Sequence, residues 1–221
     1  MSFRLLVAFL VVFSATSANA TLMTADWKAA GDSLITVDDR TSLEWLDAPL
    51  SLNRSYNDLV GIDGSDEFAV GGDFAGFRLA TTAEVESLFV DTLGIPLTDF
   101  AQWAPSSYDP VVLLHSFFGT SSGGDLAEIR GITADQATAN THWQSFARIC
   151  QDAVNPVCAN QNTANVNTDG TLAQDNSSSG FTGAWLVRQG ASSVPVPATL
   201  ALLGLGLAGI GYQRRKRTKA A

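Results

Sequence analysis

Two histidines and two cysteines are the chain's whole supply of neutral-pH bases and soft metal ligands. His115 and His142 stand 27 positions apart, and no Cys-x-x-Cys or His-x-x-x-His spacing occurs, so a zinc centre is not expected. The chain has no Gly-x-Ser-x-Gly elbow, no phosphate-cradling glycine loop and no His-Glu-x-x-His. A Ser-His-Asp triad would need the fold to carry His115 or His142 to a serine, which abundant Ser and Asp leave open without favouring. Glu84 and Glu86 look like a carboxylate pair, but on a helix they point about 200° apart and cannot converge. The only cofactor candidate is calcium: Asp63-Gly64-Ser65-Asp66-Glu67 and Gly72-Asp73 place oxygen ligands in a glycine-bearing loop. Their spacing departs from the EF-hand loop, and a solvated acidic loop is the plainer reading, so no cofactor is expected. Cys150 and Cys158 enclose seven residues. Outside the cytoplasm an even count of cysteines implies a disulfide, here closing a short loop for about 2–3 kcal/mol.

The elements that would position such groups are short. Ser33–Val37 and Leu43–Leu46 are β-prone runs around the turn-forming Asp38-Asp39-Arg40-Thr41-Ser42, which predicts a hairpin. On its pleat Ile35 and Val37 share one face, and Leu43 and Trp45 share one face of the partner strand. Ser55-Tyr56-Asn57-Asp58 opens a short helix with Ser55 as cap and Asp58 at the third position. Gly71–Gly76 reads as loop, and Phe77-Arg78-Leu79-Ala80 as a strand running into a second capping box, Thr81 with Glu84. From that cap Val85, Leu88 and Phe89 fall on one helix face. Arg78, between apolar neighbours, is expected to be part-buried and paired with a carboxylate; Trp45 and Trp185 are expected in the core. Trp27, Trp103 and Trp143 have less regular contexts. The Asn-, Gln-, Thr- and Ser-rich stretch 159–179 reads as a long surface loop.

The two ends differ in kind from this middle. Of the chain's 221 residues, all 22 acids lie between Asp26 and Asp175, whereas six of the 13 bases lie at the ends. Residues 21–197 therefore hold seven bases against 22 acids, a net of −15 behind the whole-chain figure of −9. So acidic a domain does not suit a nucleic-acid binder. Residues 1–20 combine Arg4, an apolar run from Leu5 to Phe13 and Ala18-Asn19-Ala20, the pattern of a secretory signal cleaved after Ala20. A domain over 21–189 follows, then a linker over 190–197 with Pro195-Val196-Pro197. Residues 198–212 carry no charge, and 213–221 form a basic tail with Arg214, Arg215, Lys216 and Arg217. Fifteen residues rise about 22 Å as a helix against a hydrocarbon core of about 30 Å. The run is nevertheless apolar all round, and the bases after it obey the positive-inside rule, which reads as a single C-terminal transmembrane helix with a cytoplasmic tail.

These C-terminal features together resemble the PEP-CTERM sorting signal of Gram-negative bacteria: a Pro-Glu-Pro motif, a short Gly/Leu-rich helix and an Arg-rich tail. Pro195 and Pro197 match the two prolines, and Val196 stands where the family has Glu. The resemblance implies processing by an exosortase, a membrane-embedded cysteine transpeptidase, and delivery to the cell surface or beyond in company with exopolysaccharide.

A second resemblance runs through Leu43-Glu44-Trp45-Leu46-Asp47, Tyr56, Gly76-Phe77-Arg78-Leu79-Ala80-Thr81 with Glu84, and Gly183-Ala184-Trp185-Leu186-Val187-Arg188. This order is similar to secreted bacterial domains of the C-type-lectin-like fold, such as the one ending the Legionella collagen-like protein. It implies an α+β domain whose first and last strands pair and whose late loop, here 159–179, would carry a ligand. The expectation is a non-enzymatic envelope protein touching surface, glycan, exopolysaccharide or biofilm matrix; a secreted hydrolase with scattered residues is the alternative.

Overall fold

A computed structural model describes residues 21–64, 66–100, 102–151 and 160–190. The signal segment, Cys158, the Pro195–Pro197 motif, the apolar run 198–212 and the basic tail lie outside the described residues.

Among the described residues, nine strands and three α-helices build an α+β domain of two sheets. The first sheet has the order β1 (Leu22–Ala25), β2 (Ile35–Asp38), β3 (Leu43–Leu46), β9 (Leu186–Gln189), β4 (Arg78–Leu79), all antiparallel. The second has the order β7 (Thr163–Gln174), β6 (Thr141–Cys150), β5 (Leu126–Thr138), β8 (Gly183–Ala184), with β8 parallel to β5. The β2–β3 hairpin forms as its alternation requires. The last strand pairs with β3 and β4 rather than with the first, which corrects the expected closure: β1 occupies the edge, separated from β9 by the hairpin.

One tryptophan joins the sheets. The chain leaves β8 in the second sheet and enters β9 in the first with Trp185 between them. The Trp185 N–H donates to Ile132 O at 3.0 Å, its carbonyl accepts from Ala80 N–H at 2.7 Å, and its indole N–H donates to Ser145 O at 3.0 Å. Gly131 makes room for this crossing, since a Cβ there would lie 2.8 Å from the Trp185 backbone nitrogen and ring. Trp45, Phe89 and Phe118 meet the indole edge-on at 6.3, 5.5 and 5.9 Å.

Around it packs the main core, between the sheets and two helices, α2 (Thr82–Ser87) and α3 (Tyr108–Phe118). α2 widens into a π-turn over Leu88–Thr92 that keeps Val85, Leu88 and Phe89 fully buried, as their spacing requires. α3, which the sequence reading did not anticipate, buries Val111, Leu114 and Phe118 at helical intervals. A second cluster (Ile35, Leu46, Leu59, Phe74, Phe77, Leu79, Leu186) covers the opposite face of the first sheet.

Residues 163–174 are not the expected loop but a twelve-residue strand. Its apolar positions in the main core are the small Ala164 and Val166, opposite Ile149 and Ala147. Between them Asn165 is fully buried. Its amide N–H groups donate to Thr98 Oγ1, Asp99 O and Gln102 O, and its oxygen accepts from Arg148 Nε. A polar composition hid the strand because its hydrogen-bond partners come from a segment some 65 residues earlier.

Candidate functional site

The residues singled out in sequence fall into several separate structural groups. Thr81 and Glu84 form the capping box: Glu84 N–H donates to Thr81 Oγ1 at 3.1 Å, and Thr81 N–H to Glu84 Oε2 at 2.9 Å. The same carboxylate takes a two-pronged hydrogen bond from Arg78, at 2.8 and 2.6 Å. Arg78 thus has its carboxylate, but its side chain is 52% exposed, which corrects the expected partial burial. Those Arg78 contacts hold the Glu84 carboxyl below its usual range, against the opposing effect of burial. Trp45 and Trp185 lie in the core, each 1% exposed. Trp27, Trp103 and Trp143 are all half-buried. None of these lines a common cleft, and their arrangement is that of a fold-stabilising frame.

The acidic loop is organised around a cation of the protein itself. Arg54 Nε stands 2.8 Å from Glu67 and Arg54 Nη2 3.0 Å from Asp73, while Asp66 Oδ1 accepts from the N–H groups of Phe68 and Ala69. Three of the acids offered as calcium ligands, Asp66, Glu67 and Asp73, are therefore turned to an arginine or to backbone donors. No group of three metal-ligating side chains occurs among the described residues. Cys150 is buried at the end of β6, and there is no free cysteine among the described residues.

Tyr56 stands apart from the other anchors. α1 (Tyr56–Leu59) is a single turn started by the Ser55–Asp58 capping box, and it lays the Tyr56 ring on His142 with centroids 3.6 Å apart and planes 16° from parallel. His142, 4% exposed, donates from Nδ1 to Asp175 Oδ1 at 2.7 Å. Asp175 also works through its backbone: its N–H donates to Asn140 O, and its carbonyl accepts from Asn57 N–H. One residue thus pins α1, the β5–β6 tip and the end of β7 together. His115 lies elsewhere, donating from Nε2 to Ala147 O at 3.1 Å; burial lowers its pKa and favours the neutral ring. The structure brings the two histidines to separate places, and among the described residues only His142 meets a carboxylate.

Above the Tyr56–His142–Asp175 stack opens a cleft of about 550 Å³, walled by Asn57, Asn140, Thr141, Gln174, Asp175 and Asn176 together with the apolar Ile62 and Ala139. Asn140, at φ 64°, takes the left-handed conformation that the hairpin tip demands and that asparagine tolerates. A smaller cavity of about 200 Å³ adjoins it across Gln174, with Gln144, Ser177, Ser179 and Thr182 among its walls. Ser179 and Thr182 pair across a tight turn whose tip carries Phe181, 69% exposed. The lining mixes amides and hydroxyls with the apolar Ile62, Ala139, Ile132, Leu172 and Ala173, and the turn that supplies Ser179 and Thr182 carries the exposed Phe181 ring. Asp175 is engaged by His142, and Arg54, which reaches the smaller cavity, by Glu67 and Asp73. Sequence reasoning missed this groove because its walls come from three distant segments of ordinary polar residues. The local signals were the late polar stretch 159–179, whose end supplies Gln174 to Ser179, and the run Thr138-Ala139-Asn140-Thr141 at a hairpin tip.

A profile of the PEP-CTERM protein-sorting motif matches residues 193–217. The motif implies recognition by an exosortase and indicates an exported, exosortase-sorted protein of the cell surface. No curated protein and no solved structure matches the chain, so the C-type-lectin-like resemblance gains no support from them. Among the described residues no helix is long and apolar enough to cross a membrane; the run 198–212 lies outside them.

Proposed function

We propose that this exported protein is a non-enzymatic, lectin-like surface module that holds neutral extracellular polysaccharide in the groove between Asn140 and Phe181. The observation that carries this reading is the groove's polar share, the amides and hydroxyls of Asn57, Asn140, Thr141, Gln144, Gln174 and Asn176, near a turn that carries the exposed Phe181 ring. Sugar hydroxyls match such a lining, and a pyranose face matches a phenyl ring. The domain's charge of −15 over 21–197 repels anionic polymers and so favours a neutral one. Residues 198–212 would hold the precursor in the inner membrane until an exosortase acts near Pro195–Pro197. A Cys150–Cys158 disulfide would tie the end of β6 to the segment before β7.

A secreted hydrolase is the second reading, and the His142–Asp175 pair is the observation in its favour. Tyr56 covers one face of that imidazole, and burial leaves little of it for a substrate to reach.

The test is binding of the full-length protein to immobilised neutral and anionic polysaccharides, with and without EDTA. Retention on a neutral polymer, indifferent to EDTA and lost in Phe181→Ala, is the expected result. Retention on anionic polymers alone, on none, or undiminished in Phe181→Ala would contradict it. Turnover of a glycoside or ester that His142→Ala abolishes would favour the hydrolase.

A further inference from the structure

A second, apolar groove lies where the chain leaves the domain. Its walls are Leu22, Leu93, Leu113 and Phe117, with Thr21 and Thr92 at the rim, around a volume of about 280 Å³. Leu113 is 49% exposed there, and the neighbouring Val112 and Val90 add 40% and 39% exposed surfaces.

The position of this groove is fixed by the turn between β2 and β3. Thr92 Oγ1 donates to Asp38 Oδ2 at 2.9 Å, and Arg40 Nε donates to Thr92 Oγ1 at 3.0 Å. Thr21 N–H donates to Asp39 Oδ1 at 2.6 Å. Gly190 N–H donates to Ser42 O at 2.9 Å, so the chain's exit and the rim of the groove hang on one five-residue turn, Asp38–Ser42. β9 and β1 are three strand spacings apart in the sheet order, about 14 Å. From Gly190 the extended chain reaches roughly 13 Å at Val194 and 23 Å at Pro197, at about 3.3 Å per residue. The chain from Gly190 is therefore long enough to bring Val194-Pro195-Val196-Pro197 to the groove.

We infer that the apolar groove is the resting place of this chain's own Val194–Pro197, so that the folded domain controls how readily its sorting motif is reached by a processing enzyme. The chemistry fits. Alternating valine and proline favour the polyproline conformation, which docks at low entropic cost in grooves walled by apolar and aromatic side chains. Val196 stands where the PEP-CTERM pattern has Glu; a carboxylate in this groove would be desolvated without a partner, whereas a valine is at home there. The inference is independent of what the polar groove binds.

The full-length protein in lipid nanodiscs tests it with the photoreactive substitution Val196→photoleucine. Crosslinks within the chain to peptides spanning 88–93 and 108–118 are expected. The surface variant Leu113→Asp should abolish them, and Leu113→Met should keep them. Limited digestion by elastase should cut between 190 and 198 about fivefold or more faster in Leu113→Asp and in Val196→Glu than in the parent, with the domain itself equally resistant. Crosslinks to lipid, to a second copy or to other parts of the domain would overturn the inference, as would unchanged cutting rates.

Discussion

The sheet of β1, β2, β3, β9 and β4 is walled by apolar side chains on both faces. Leu43, Trp45 and Val187 face one cluster, and Ile35, Leu46, Leu79 and Leu186 the other. The sheet of β7, β6, β5 and β8 is apolar chiefly on the face it turns to α2 and α3. On its other face Glu128, Arg148 and Asn165 lie side by side across three strands, tied to residues 98–102 by hydrogen bonds. Phe100, Trp103 and Phe146 sit against the Arg148 guanidinium at 5.4, 5.0 and 4.9 Å. The first sheet holds its place by excluding water, the second by leaving few of its buried polar groups without a partner. The difference extends to use: the first sheet carries the chain's exit, and the second supplies the Asn140, Gln174 and Asp175 walls of the polar groove.

Removing the residue that both sheets share should have the largest effect. Trp185→Ala empties the centre of the core and is expected to cost about 3–5 kcal/mol in denaturant unfolding. Asn165→Ala tests the second sheet alone. It leaves Arg148 Nε and three oxygens without their partner and should cost about 2–3 kcal/mol, although it deletes no apolar contact. A cost under about 0.5 kcal/mol would show that the polar face is not what holds that sheet.

Among the first sheet's buried polar groups, Thr36 and Asp38 have hydrogen-bond partners, whereas Asp47, directly after β3, lacks one at its buried Oδ1. Burial, helped by Asp32, raises the Asp47 carboxyl from 3.8 to about 7. A pKa raised on folding means stability that is fullest below pH 3.8 and is lost as pH rises to about 7. Asp47→Asn should therefore flatten stability across that window and leave the variant about 1–2 kcal/mol more stable above it, a figure discounted because the carboxyl is partly exposed. Equal pH profiles for variant and parent would contradict the assignment. Smallest of these, Thr81→Ala should cost about 1 kcal/mol by uncapping α2 without disturbing either sheet.

What was legible in sequence follows the same division. The β2–β3 hairpin, both capping boxes, the Val85–Leu88–Phe89 face and the burial of Trp45 and Trp185 all depend on near neighbours or on large apolar side chains. Both leave a local pattern. β7 did not: Ala164 and Val166 are too small to mark a core face, and Asn165 reads as loop until Thr98, Asp99 and Gln102 are brought to it. The candidate groove was illegible for the same reason. Asn57, Asn140 and Gln174 meet only through Asp175, whose contacts to Asn57, Asn140 and His142 span 118, 35 and 33 positions.

Hydrogen–deuterium exchange of the full-length protein, with and without a saturating neutral polysaccharide, tests most directly whether the second sheet carries the function. Slowed exchange is expected in peptides covering 57–62, 139–142 and 172–182, with β1, β2 and β3 unchanged. Protection confined to β1, β2 and β3, or none anywhere, would contradict it.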